Sequence, residues 1–91
     1  MNSWNLKPNI ALSVEQYEVA YIQVDNIVGD ITIFGRVYPN SEWQKISIID
    51  PNYNFIEKIT NKGVYIVDTN GFLEITIQCD EKTKAYISYA K

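Results

Sequence analysis

The chain has 91 residues, of which 46% are hydrophobic and 21% charged, and its net charge is −3. That apolar fraction is too high for a disordered chain, and without a basic surplus there is no electrostatic footprint for nucleic acid. His is absent and Cys79 is the only cysteine, which excludes Ser-His-Asp and Cys-His catalysis, an internal disulfide and a zinc cluster. No apolar run reaches the ~20 residues of a membrane span, so none is expected. The start Met1-Asn2-Ser3-Trp4 has neither the basic nor the apolar stretch of a signal peptide, so synthesis in a cytoplasm is expected. A chain of this size buries only about 60–65% of its unfolded surface, which predicts one domain that gains from a neighbour.

The choice of apolar residues leans to β-structure. Ile (14) and Val (7) outnumber Leu (3) and Ala (4), and β-branching suits a pleated surface better than a helix. Residues 1–13 read as an extended N-terminal arm or edge strand. In it Trp4, Leu6, Ile10 and Leu12 fall on even positions around Pro8, so an extended path presents them on one side as candidate partner-binding residues. Pro8 cannot donate a ladder hydrogen bond, which confines the arm to a sheet edge or a non-sheet path. Residues 14–91 read as a single β-sandwich domain. Ser13-Val14-Glu15-Gln16 allows one helical turn and nothing longer.

Tyr17 to Val24 alternates as a strand with Ala20, Ile22 and Val24 on one face. After the turn Val28-Gly29-Asp30 comes Asp30 to Tyr38, where Gly35 predicts a bulge or a close approach. Pro39-Asn40-Ser41 closes that strand, Trp43 to Ile49 follows, and Asp50-Pro51-Asn52 ends it. Asn54 to Ile59 is shorter. Val64 to Val67 and Phe72 to Cys79 flank Asn70-Gly71, which predicts a tight hairpin with positive φ at both residues. Lys84 to Tyr89 is the last strand. About seven to eight short strands with frequent turns predict an all-β fold, a small antiparallel sandwich of jelly-roll or Ig-like type.

Few constellations could carry chemistry. Cys79 ends an apolar strand and reads as a buried inert thiol. The acids lie at turns or at polar points of strand alternation, so no catalytic pair, metal site or cofactor is expected. Asp25, Asn26 and Asp30 fit no EF-hand spacing. Tyr38, Trp43, Tyr53 and Tyr86 are candidates for stacking on sugar faces, and also for filling a core and covering its rims.

From Gly29 onward the features run Gly29-Asp30-Ile31-Thr32-Ile33-x-Gly35, Trp43-x-x-Ile46-x-Ile48-x-Asp50, Ile59-Thr60-x-x-Gly63-x-Tyr65-x-Val67-Asp68-x-x-Gly71 and Glu74-Ile75-Thr76-Ile77. This order resembles small β-sandwich modules of tailed-bacteriophage virion proteins, found in head-decoration, head-fibre and tail-associated proteins. The resemblance implies a non-enzymatic structural or adhesive role on a virus particle. It implies a homo-oligomer, such as a trimer, that binds phage capsid or tail proteins, and a protein made in the host cytoplasm and located on the virion. A carbohydrate-binding module and a phage-encoded regulator of a host protein stand as alternatives.

Overall fold

The computed structural model describes residues 3–91, with side chains from Asn5 onward. Among them are ten strands and no helix: β1 (Ser3–Asn5), β2 (Ala11–Ser13), β3 (Val19–Asn26), β4 (Thr32–Arg36), β5 (Gln44–Lys45), β6 (Ile48–Ile49), β7 (Phe55–Ile56), β8 (Gly63–Asp68), β9 (Glu74–Gln78) and β10 (Lys84–Ala90). They form two antiparallel sheets, ordered β1-β10-β3-β8-β6-β7 and β2-β9-β4-β5. The pairs β1·β10, β2·β9, β3·β8 and β4·β5 are nested like the rungs of one long hairpin. Rolling that hairpin up brings β3 against β10 and β4 against β9, which is the jelly-roll arrangement of eight strands. The short β6·β7 hairpin extends the larger sheet beyond β8.

Period-two alternation builds the core. Ala20, Ile22 and Val24 of β3, Tyr65 and Val67 of β8, and Ala85 and Ile87 of β10 point inward from the six-stranded sheet. Ile33 of β4 with Ile75 and Ile77 of β9 meet them from the four-stranded sheet. Ile31 and Ile59, both fully buried, join outside the named strands in a bridge with hydrogen bonds of 3.0 and 2.8 Å. Branched side chains on facing pleats interdigitate with few rotamers to lose, so an isoleucine-rich core suits this frame.

Two local expectations are corrected by the structure, and at Gly35 it decides between the two that stood open. The run Trp43 to Ile49 is two strands, because the chain leaves the four-stranded sheet after Lys45 and enters the six-stranded one at Ile48. Asn70-Gly71 does not close a hairpin, since β8 and β9 lie in different sheets. Only Gly71 has positive φ (89°), and the Phe72 amide bonds the Thr69 carbonyl at 3.1 Å, so the turn carries the chain across the sandwich. Gly35 is no bulge, because β4 and β9 stay in register from Thr32 to Arg36. It is a close approach: an added Cβ would lie 2.6 Å from Phe72 Cδ1.

The turn acids have a common use. Asp50 Oδ1 accepts from the Asn52 amide, Asp68 Oδ1 from the Asn70 amide and Asp80 Oδ1 from the Lys82 amide, at 2.9, 3.0 and 2.8 Å. Each carboxylate thus caps its own turn two residues on.

Candidate functional site

Residues directly opposite in an antiparallel sheet share a face, so the register lays out the outer surface of each sheet. On the four-stranded sheet the outward positions are mostly polar, with Ser13, Glu74, Arg36, Gln78, Thr32, Thr76 and Lys45 around Phe34 and Ala11. There Arg36 binds Glu74 Oε1 through Nε at 2.8 Å and through its terminal nitrogen at 2.7 Å. The same guanidinium lies 4.1 Å from the centroid of Trp43. This arrangement ties the segment between β4 and β5 to the sheet.

The six-stranded sheet is different. One row across its outer face reads Phe55, Ile49, Ile66, Tyr21 and Ser88. The next reads Val64, Gln23, Tyr86 and Asn5. Phe55 is 76% exposed and Val64 51%, while Tyr21, Ile49, Ile66 and Tyr86 are half-buried. Neither row contains a charged side chain, although the chain carries 19 (8 basic and 11 acidic). An outward sheet face is ordinarily polar, so six apolar or aromatic side chains at these nine positions mark an interaction surface. A shallow depression of about 200 Å³ lies among Tyr21, Gln23, Val64, Tyr86 and Ser88.

The residues singled out from sequence are dispersed. Leu6 and Leu12 pack against the core, whereas Ile10 is 46% exposed. The arm is not one extended segment, because Asn9 takes φ 62° and breaks the alternation. Residues 3–13 instead supply edge strands to both sheets, β1 beside β10 and β2 beside β9. The backbone of Trp4 pairs with Ile87, while its side chain lies outside the described residues. Among the aromatic candidates, Tyr38 (71% exposed) and Trp43 flank the β4–β5 segment, and Tyr53 (80% exposed) tips the β6–β7 hairpin. Tyr86 belongs to the apolar face, so these four rings sit at three places. Sequence reasoning missed Tyr21, Ile49, Phe55, Val64 and Ile66. Their signal was available in runs such as Val64-Tyr65-Ile66-Val67, which are apolar at both parities.

A cleft of about 340 Å³ opens where the chain crosses from β1 to β2, lined by Asn5, Lys7, Leu12, Ser13, Gln16, Tyr17, Ile87 and Tyr89. Tyr17 and Tyr89 stack on each other at 4.8 Å. Burial, then the neighbouring Tyr17, pushes the Tyr89 phenol above its ordinary value. Among the described residues, Lys7 is the only charged one lining the cleft. Cys79 is half-buried rather than fully buried, and burial followed by the Asp80 carboxylate pushes its thiol up. Among the described residues no three of His, Cys, Asp and Glu converge as metal ligands. No described helix is long and apolar enough to cross a membrane. Comparison with protein-family models, with curated proteins and with solved structures returned no match.

Proposed function

We propose that this chain is a non-enzymatic module that works by protein–protein binding, as a structural or adhesive component of a bacteriophage virion. Capsid decoration, head fibre and tail accessory protein are the roles this reading covers. One observation carries the binding part: the outer face of the six-stranded sheet is mostly apolar, and uncharged, across its two central rows. The virion part rests on the motif order of the sequence, and on a jelly-roll frame of the kind that viral capsid and lectin domains use. The frame counts as analogy, since one fold hosts many functions. No step of this role requires a cofactor. Mass spectrometry of purified particles of the encoding phage tests it. The chain should be present at a fixed copy number per particle, and its confinement to the particle-free lysate would reject the virion role.

Carbohydrate binding is the second reading, favoured by Tyr53, which is 80% exposed and held at φ 64°. A glycan array that stays blank for the wild type would remove it.

A further inference from the structure

We propose that the occupant of the apolar face is a second copy of this chain, stacked sheet on sheet about a two-fold axis. The inference rests on reading the chain as a protein-binding module and says what is bound. Self-association of a β protein proceeds through strand edges or through sheet faces. The edges here are blunt: β1 and β2 have three residues each, β5 and β7 two each. Short edges offer little backbone for pairing. That leaves the faces.

Of the two outer faces, the four-stranded sheet presents Arg36, Glu74 and Lys45, whereas the central rows of the six-stranded sheet present no charge. The charges on the outer face of the six-stranded sheet stand at its margins, at Asp25 and Asp68, so two copies that each carry −3 approach with least opposition through its uncharged centre. The area is also of the right order. The 28 residues of β1, β3, β6, β7, β8 and β10, at ~3.3 Å each along strands ~4.8 Å apart, give about 440 Å² in projection per copy and more in accessible surface. Counted on both copies that is about 900 Å² before side-chain relief is added, against the ~1,000 Å² total that a specific interface clears, and homodimer interfaces are the apolar ones. Two such sheets stack about 10 Å apart, with Phe55, Val64 and Tyr86 of each copy filling the layer between them. A two-fold stack uses the same patch on both copies and closes at two.

Light scattering after size exclusion, at micromolar concentrations of the full chain, tests this. The wild type should run at twice 10.5 kDa. Val64→Lys places a charge at a position already 51% exposed, so the monomer tolerates it. It should keep a wild-type circular dichroism spectrum and fall to the mass of one chain. Should it misfold, Phe55→Lys, at a 76% exposed position, replaces it in the same assay. Tyr38→Lys and Ile10→Lys, on the β4–β5 segment and the arm, should remain dimeric. A folded Val64→Lys that stays dimeric, or an Ile10→Lys that dissociates, puts the interface elsewhere and overturns the proposal. A wild-type mass of one chain or of three overturns it as well. A monomer that still co-purifies with particles would reject the dimer alone and leave the virion reading in place.

Discussion

Gly35→Ala isolates one packing constraint of the roll. Gly35 is buried in β4, in unbroken register with β9, and its φ lies outside the left-handed region, so the backbone itself accepts alanine. The obstacle is Phe72. A Cβ built on Gly35 lies 2.6 and 2.7 Å from two carbons of the Phe72 ring, whereas carbon atoms sit comfortably at ~3.5–4.0 Å. The half-buried ring or the strand must therefore give by about 1 Å, and overpacking of that kind costs about 1–3 kcal/mol. Replacing glycine also removes unfolded-state freedom, which offsets about 0.4–1 kcal/mol. The net loss of about 1–2 kcal/mol lowers Tm by roughly 4–16 °C in a domain of this size. Thermal unfolding followed by circular dichroism measures it. In a Phe72→Ala background the obstacle is gone, and Gly35→Ala should be neutral or slightly stabilising. The two changes would then show a coupling of about 1–3 kcal/mol. An equal cost in both backgrounds, or an unchanged Tm for the single variant, would refute the contact argument.

Gly71 poses the opposite case: φ is 89° and nothing lies within 4 Å of an added Cβ. Gly71→Val should cost about 1–2 kcal/mol through backbone strain alone and Gly71→Asn clearly less, read as Tm differences. Burial, then Asp50, raises the Tyr65 phenol from 10.0, and burial, then Tyr17, raises that of Tyr89. Above pH 10 the folded chain therefore holds protons that the unfolded chain has released. The contribution of these tyrosines is full below pH ~10 and is lost as pH rises through their folded values. Tm should fall above that pH in the wild type, and more shallowly in Tyr89→Phe. Tyr65→Phe also loses the 2.7 Å bond from its hydroxyl to the Asn61 carbonyl, costing about 0.5–1.5 kcal/mol at neutral pH in chemical denaturation. The raised thiol of Cys79 should react with iodoacetamide at pH 8 more slowly than in the unfolded chain; equal rates would contradict its placement against the core.

The sandwich was legible because period-two alternation survives translation into structure almost unchanged. Ala20, Ile22 and Val24 share an inward face, as their spacing requires. Sheet membership was not legible. Asn70-Gly71 carries the local signal of a hairpin, but a jelly roll sends β8 and β9 to opposite layers, and only long-range pairing decides that. For the same reason Trp43 to Ile49 reads as one strand although Ser47 lies where the chain changes sheets. The candidate face was half legible. Runs such as Ile48-Ile49 and Val64 to Val67 announce apolar residues at both parities. Assembling Ile49, Ile66, Tyr21 and Phe55 into one row needs the register of four strands. The aromatic residues flagged from composition scatter because ring exposure depends on loop geometry, as at Tyr53.

Hydroxyl-radical footprinting with mass-spectrometric readout measures side-chain accessibility in the free and assembled chain, whether the assembly is a dimer or a particle. Phe55, Val64 and Tyr86 should lose reactivity on assembly, while Tyr38, 71% exposed beside the other sheet, should keep it. Protection of Tyr38 with Phe55, Val64 and Tyr86 unchanged would contradict the assignment of the outer face of the six-stranded sheet as the binding surface.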